Sequence, residues 1–287
     1  MLCWMNGQYI DEHELKISPF DHGFLYGLGF FETFRTYEGK AVYLQQHFNR
    51  LIEALKEYRI HFPYTIQDIE EVIEKLNAQD GKEGYFRLNV SAGVHPIGLA
   101  PSEYTEPTII LFRKELPKMV RGTEKEAVWL KTARNSPEQQ TRYKSHHYGN
   151  NVRARLELSS LANQEGFFTD KNGVVAEGIT SNIFWIKDDI LYTPSTRLGI
   201  LPGITRAIVI RLAKELAIPV REGSFMTWEL EQADECFVTT AVQELVPISH
   251  IGKIRFAGSE GRLYKKLHTA YLQKIVMHLG ESHVRKL

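Results

Sequence analysis

Four short segments of this chain carry residue types whose chemistries complement one another. Lys144 lies in Arg142-Tyr143-Lys144-Ser145-His146-His147-Tyr148. An amine among aromatic rings and partly removed from water has its pKa lowered, which frees it for attack on a carbonyl and Schiff-base chemistry. His47 and Arg50, in His47-Phe48-Asn49-Arg50-Leu51, are three residues apart and share one side of a helix beside its apolar stripe. A guanidinium placed there can reach a phosphate. Leu201-Pro202-Gly203-Ile204-Thr205-Arg206 feeds a glycine turn into a helix start, where free N–H groups and the positive end of the dipole suit an anion. Glu177 stands in Val175-Ala176-Glu177-Gly178-Ile179-Thr180-Ser181-Asn182 between two apolar runs, where a carboxylate can keep a heteroaromatic nitrogen protonated. Each segment also has an ordinary structural reading: a surface lysine, a solvated helix flank, plain helix initiation, an acidic turn residue before Gly178.

Other chemistries lose support. There is no GxxxxGK[ST], and Gly27 and Gly29 are followed by Phe30-Phe31-Glu32 rather than by the rest of a GxGxxG. HExxH and GxSxG are absent, and His146-His147 are sequence neighbours rather than ligands one helical turn apart. Cys3 and Cys236 are too few for a disulfide framework or a CxxC zinc site, so no metal is expected. Thirty-five basic residues balance 35 acidic ones, which argues against nucleic acid or an anionic membrane as the main partner. No apolar run reaches the ~18 residues needed to cross a bilayer. The opening Met1–Ile10 does not read as a signal peptide, so a soluble, cytoplasmic protein is expected.

The elements that must position these residues follow from periodicity. The 287 residues, 43% of them hydrophobic, suffice for one large domain or two ordinary ones. In the N-terminal part, β-type runs at 2–6, 30–37 and 41–43 precede a helix with Leu44, Phe48, Leu51, Leu55 and Tyr58 at three- and four-residue steps. A second helix over 66–76 and strands at 85–92 and 108–112 follow. The second half reads as a helix over 151–162, a hairpin around Asn172-Gly173, strands at 183–186, 190–192 and 235–240, a helix from the 201–203 turn to about Ala217, and a terminal helix over 261–279. Strands come in clusters without regular βαβ alternation, so two α+β domains fit better than a Rossmann fold. The boundaries expected are a domain over 1–113, a linker over 114–126 and an α/β domain over 127–287 that carries Lys144.

Taken in this order, HFNRL, YKSHHY, AEGITSNIFW and LPGITR resemble the fold-type IV pyridoxal-phosphate enzymes, the group of branched-chain and D-amino acid aminotransferases and 4-amino-4-deoxychorismate lyases. The resemblance runs from Asn6-Gly7 through Ser18–Gly27 to Ala233-Asp234-Glu235 and Pro247, most of the chain. It implies a two-domain α+β fold, D-amino acid aminotransferase-like, with pyridoxal 5′-phosphate at the domain interface. By the same resemblance Lys144 would bind the cofactor covalently and shuttle protons. Glu177 would meet the pyridine nitrogen, and Tyr148 would lie near the phenolic oxygen. Arg50, Ile204 and Thr205 would hold the phosphate, with Thr240 and Ala241 in a second phosphate loop. Arg87 would lie on the side of a small-molecule substrate, although a strand arginine often just points to solvent. Apart from the resemblance, His22 is a candidate for the substrate mouth, with a satisfied loop histidine as its ordinary reading, and Tyr26 and Phe31 are candidates for the pocket lining, with plain core aromatics as theirs. A homodimer whose subunits lend residues to each other's site is also implied.

Within the group, the lyases are the nearer resemblance. Branched-chain aminotransferases usually carry Gly after the residues matching Phe31-Glu32, whereas Thr33 stands here, and Ala241 replaces the hydroxyl residue of many aminotransferases. A threonine hydroxyl can protonate a departing enolpyruvyl oxygen, a need that transamination lacks. The expected reaction is therefore conversion of 4-amino-4-deoxychorismate to 4-aminobenzoate and pyruvate, with Lys144 and Thr33 as catalytic residues. An aminotransferase of the same fold is the alternative. Outside enzymes, a protein that only binds pyridoxal phosphate or another phosphorylated ligand stays open.

Overall fold

Asn6 and Gly7 both have positive φ (44° and 89°), and the turn they form joins β1 (Leu2–Met5) to β2 (Gln8–Asp11) as an antiparallel hairpin. The computed structural model describes residues 1–78, 83–99, 102–116 and 120–280. They fall into two compact units, Met1–Lys118 with Tyr143–His147, and Met119–Arg142 with Tyr148–Leu287.

In the first unit the hairpin is followed by α1 (His22–Tyr26), β3 (Gly29–Tyr37), β4 (Lys40–Ala41), α2 (Leu44–Glu57), α3 (Ile66–Asn77), β5 (Gly84–Ser91) and β6 (Thr108–Glu115). The strands form one antiparallel sheet in the order β2-β1-β6-β5-β3-β4. The three-four spacing seen in the sequence puts Leu44, Leu51 and Leu55 of α2 into the core with Ile69 and Ile73 of α3. α3 begins with a reciprocal cap: the Asp68 N–H donates to Thr65 Oγ1 (3.2 Å), and the Thr65 N–H donates to Asp68 Oδ2 (2.6 Å). Phe30, Phe34, Phe86, Leu88 and Leu111 meet these helices. Side chains alternate along a strand, so Phe31 and Thr33 take the opposite face of β3 from Phe30 and Phe34.

The segment Tyr143–His147 belongs to this unit because it completes the edge of β3. The Phe31 N–H donates to the Lys144 carbonyl at 2.8 Å and the His146 N–H to the Gly29 carbonyl at 2.9 Å, with Phe30 and Ser145 bridged antiparallel between them. Sequence reasoning placed Lys144 in the second domain, and these bonds correct that. Nothing in the spacing announces that five residues pair with a strand more than a hundred positions earlier.

The second unit contains β7 (Lys125–Trp129), α4 (Gly149–Arg155), β8 (Gln164–Thr169), β9 (Val175–Gly178), β10 (Asn182–Lys187), β11 (Ile190–Pro194), α5 (Ile204–Glu215), β12 (Val220–Gly223), α6 (Thr227–Glu231), β13 (Glu235–Thr240), β14 (Glu244–Ile251), β15 (Ile254–Arg255) and α7 (Arg262–Leu279). Its mixed sheet runs β12-β11-β10-β13-β14-β7-β8-β9, with β15 paired to β14. Asn182–Ile186 of β10 are all buried, as expected of a strand covered on both faces. On one face Phe184 stacks on Phe237 (5.3 Å, 5°), which meets Tyr264 of α7 at 5.9 Å. On the other, Ile183, Trp185 and Val238 pack with Phe167 and Leu230. Asp188 and Asp189, both at positive φ, close the β10–β11 turn.

Two expectations shift. The helix read over 151–162 is α4 and stops at Arg155. Farther on, the Ser159 and Ser160 N–H groups donate to the Gln164 side chain (3.0 and 3.4 Å), which competes with helical bonding. Of the linker read over 114–126, Lys114 and Glu115 belong to β6, Lys125 and Glu126 open β7, and 117–119 lie outside the described residues.

Gly29 is the tightest point of the Lys144 attachment. A Cβ there would lie 2.4 Å from His146 Nδ1 and 2.7 Å from the Val90 carbonyl oxygen. Gly29→Ala should therefore lower unfolding stability by about 1–3 kcal/mol through overpacking, read as a reduced denaturation midpoint in urea at unchanged slope.

Candidate active site

In the first unit the face of β3 that carries Phe31 and Thr33 gathers Lys144. Register sets Phe31 opposite Asn89 and Thr33 opposite Arg87. Lys144 Nζ lies 4.7 Å from the Phe31 ring centroid and Arg87 Cζ 3.7 Å from it, so one phenyl ring takes two cations. Arg87 is steadied by its Nε–H, which donates to Asn89 Oδ1 at 2.9 Å. His146 stacks on the same ring, 6.1 Å away and tilted by 28°. Burial, reinforced by the Arg87 charge, pushes the His146 imidazole down to about 4, so it is neutral near pH 7.

The other face of β3 carries Glu32, 2% exposed. It accepts from Arg50 Nε and Nη2, both at 2.7 Å, and from His47 Nδ1 at 2.7 Å. Burial alone would raise this carboxyl, but the charge of Arg50 and the bond from His47 outweigh it and hold the group at about 2. Burial also lowers His47, against the pull of Glu32, so the imidazole is neutral and its Nδ1–H is the donor. The arginine picked out from helix spacing is thus fixed in orientation by a bidentate carboxylate. Sequence reasoning missed Glu32; the available signal was a lone acid inside a nine-residue, largely apolar strand.

Tyr26 and His22 gather elsewhere in this unit, around α1. Asp21 caps that helix, accepting from the Gly23 N–H (2.7 Å), Ser91 Oγ (2.9 Å) and Thr108 Oγ1 (2.6 Å). His22 is fully enclosed, with its Nε2–H donating to the Pro96 carbonyl at 3.0 Å and its ring against Tyr26 and His95. In this setting it holds the segment around Pro96. Tyr26 is partly exposed, and its hydroxyl accepts from the Gly98 N–H at 2.7 Å.

In the second unit Glu177, also buried, accepts from Arg134 Nε (2.8 Å) and the Leu201 N–H (2.9 Å), with Arg142 Nε at 3.8 Å. Arg134 Nη1 is held in turn by Asn150 Oδ1 (2.8 Å) and Asn151 Oδ1 (3.2 Å), in the first turn of α4 next to Tyr148. Arg142 donates to the Gly199 and Asn135 carbonyls; burial and the neighbouring Arg134 bring it down to about 10, so it stays cationic. The arginines that brace Glu177 lie 43 and 35 positions before it in the chain, a separation that no local pattern reveals.

Ile204 and Thr205 open α5, whose N-cap is Gly203 and which has no side-chain cap. Asn182 pins this turn: its Nδ2 donates to the Leu201 carbonyl at 2.9 Å, and a Cβ on Gly203 would lie 2.0 Å from its Oδ1. Asn182 is also paired across the sheet with Thr239, next to Thr240 and Ala241. One residue therefore links both candidate phosphate segments, the α5 turn through its side chain and the 239–241 stretch through its strand pairing. The Thr240 hydroxyl accepts from the Val242 (3.3 Å) and Gln243 (2.8 Å) N–H groups of its own turn, while buried Thr239 Oγ1 has no hydrogen-bond partner. An uncapped helix start, a backbone cradle closed to any Cβ and an unpartnered hydroxyl suit a phosphate. Glu177 uses part of its acceptor capacity and retains lone pairs for a pyridinium N–H.

The Glu32 carboxyl sits well below its ordinary value of 4.5, so on acidification the unfolded chain takes the proton first. Its contribution, roughly 3 kcal/mol, is complete above about pH 4.5 and disappears as the pH falls toward 2. In Glu32→Gln the unfolding free energy should be lower at pH 7 and depend less steeply on pH between 4.5 and 2, as urea denaturation across that range would show.

A family model described as amino-transferase class IV matches residues 29–251. The chain is 39% identical over 284 residues, 98% of its length and 97% of the relative's, to aminodeoxychorismate lyase of Bacillus subtilis (strain 168). It is 36% identical over 270 residues to the putative branched-chain-amino-acid aminotransferase of Methanocaldococcus jannaschii, covering 93% of this chain and 94% of that one. Among solved structures it is similar to the T.th. branched-chain amino acid aminotransferase complexed with N-(5′-phosphopyridoxyl)-L-glutamate. There the TM-score is 0.86, with 27% identity and coverage of 96% and 94% of the two chains.

Proposed function

The chain belongs to the class IV aminotransferase family, and from that premise we propose that it is a pyridoxal 5′-phosphate-dependent lyase that converts 4-amino-4-deoxychorismate to 4-aminobenzoate and pyruvate. The observation that carries this reading is Thr33. It shares a face of β3 with Phe31, over which Lys144 lies, and stands opposite Arg87 in register. A hydroxyl on the face that carries the lysine has work to do when an enolpyruvyl oxygen departs and none in transamination. The extended likeness to a relative named aminodeoxychorismate lyase supports the same choice.

The bound cofactor supplies an aldehyde carbon that takes up the substrate amine and a ring that stores the electron pair released from carbon. Lys144 Nζ removes the proton from the nitrogen-bearing carbon of the substrate. Thr33 Oγ1 or the protonated Lys144 Nζ delivers a proton to the departing enolpyruvyl oxygen, and where Thr33 donates, the proton that Lys144 took up restores its hydroxyl. Glu177 accepts the N–H of the pyridine ring through a carboxylate whose orientation Arg134 and the Leu201 N–H fix. Arg50, set by Glu32, and the Ile204 and Thr205 N–H groups take the phosphate, with Thr240 and Ala241 as its second loop. Tyr148 is assigned to the phenolic oxygen. Phe31 and Arg87 are assigned to the substrate, Arg87 meeting a carboxylate.

A cytoplasmic homodimer is part of the proposal. Phe24, Ile97 and Leu99, near α1 in sequence or joined to it through Tyr26 and Gly98, are 74%, 74% and 86% exposed, an apolar surface of the kind a second copy covers. Phe24→Asp should shift the mass seen by light scattering from dimer to monomer; a wild-type monomer would remove this part of the proposal. Among the described residues no helix is long and apolar enough to cross a membrane.

An aminotransferase is the second reading, favoured by the likeness to the Methanocaldococcus relative. The purified protein should release pyruvate from 4-amino-4-deoxychorismate, with Lys144→Ala inactive and Thr33→Val slower by about 10²-fold or more. Transfer of nitrogen from leucine or D-alanine to 2-oxoglutarate without pyruvate release would favour the aminotransferase. A preparation that stays colourless with added cofactor, or in which borohydride fixes no label on Lys144, would leave neither.

A further inference from the structure

The His146 imidazole is more elaborately placed than a residue without a ligand requires. It lies two positions after Lys144 on a segment paired with β3, so the two side chains share a face. Gly29 stands across from it, and only the absence of a side chain there leaves room for the ring. Phe31 stacks on it, and the same Phe31 ring receives Arg87 and Lys144. Yet His146 Nε2 is buried and has no hydrogen-bond partner. Polar atoms in such positions are nearly always paired, and an exception beside reactive groups points to a partner that arrives with the substrate.

We propose that His146 is a substrate-binding residue whose Nε2–H donates to an anionic oxygen of the substrate beside Arg87. The class of ligand is a carboxylate: Arg87 supplies the formal charge, and the imidazole supplies a directional donor that does not add a second cation next to Lys144. Burial and Arg87 keep the ring neutral near pH 7, which suits a donor of this kind and spares the lysine further like-charge repulsion. Stacking on Phe31 fixes where the Nε2–H points, so the contact would discriminate between substrates by where their carboxylates lie. The lyase substrate carries a second carboxylate on its enolpyruvyl arm, and the assignment rests on that reading of the reaction.

Two variants separate this role from a structural one. His146→Phe keeps a flat ring on Phe31 and removes the donor, and His146→Gln returns an N–H near the position of Nε2. With the cofactor-loaded enzyme, His146→Phe should raise the KM for 4-amino-4-deoxychorismate by about tenfold or more, the cost of losing one hydrogen bond to a charged group, with a smaller effect on kcat. His146→Gln should recover most of that loss. Absorbance of the bound cofactor, borohydride labelling of Lys144 and the thermal midpoint should match wild type in both. A wild-type KM in His146→Phe overturns the proposal, as does a KM rise that His146→Gln fails to reduce. If wild type instead transfers nitrogen and releases no pyruvate, the lyase reading falls by itself. The same variants are then compared through the KM for 2-oxoglutarate, also a dicarboxylate: a tenfold rise in His146→Phe with rescue by Gln upholds the His146 assignment, and an unchanged value rejects it.

Discussion

Two backbone hydrogen bonds, from Phe31 to Lys144 and from His146 to Gly29, decide what the first unit can do. They convert a stretch that would otherwise be a loop into an additional edge of β3, and side-chain alternation then follows without further cost. Phe31 and Thr33 come to share a face with Lys144 and His146. Arg87 joins them through its register with Thr33. The strand pairing orders the Lys144 backbone, and the Phe31 ring limits where its ammonium and the Arg87 guanidinium can lie; for the catalytic role proposed, that order is in place in advance.

Both units solve the same electrostatic problem. Glu32 and Glu177 are carboxylates taken out of water, which is unfavourable unless each is paired and fully bonded. Each is met by an arginine and by at least one further donor, His47 in the first case and the Leu201 N–H in the second. These pairs contribute orientation more than stability, because a hydrophobic replacement of the same shape would often be as stable. Removing one member leaves the other charge buried and uncompensated. The arrangement therefore holds Arg50 and Glu177 in fixed directions without the thermal latitude of surface side chains.

Much of this was legible in the sequence because it rests on local pattern. The apolar spacing of α2, the 235–240 strand and the terminal helix depend on neighbours three, four or two residues away, and they stand where periodicity put them. LPGITR announces a helix start by itself, and α5 does begin at Ile204. What was not legible depends on distant pairing. Arg134 is meaningful only once β7–β9 fold Glu177 back toward it, and Glu32 only once α2 lies across β3. What surrounds His22 is equally non-local: the Pro96 carbonyl and the rings of His95 and Tyr104 come from more than seventy positions away. Helix α4 was read too long because apolar residues continue past Arg155 while the Gln164 side chain bonds the backbone of Ser159 and Ser160.

The division of labour between the units also bears on how one scaffold can serve different reactions. Of the groups proposed for the ring nitrogen and phosphate, Glu177, the α5 turn and the 240–241 segment are fixed by bonds within the second unit, whereas Arg50 is held by Glu32 in the first. On that proposal, changing them would alter how the cofactor is held whatever the reaction. The groups proposed to separate elimination from transamination lie on one face of β3, at Thr33, and beside it, at Arg87 and His146. Alternation sets that face apart from Phe30 and Phe34, which pack the core on the other side. On this proposal a few side chains on one face choose the reaction, while the fold common to the family leaves the chemistry open.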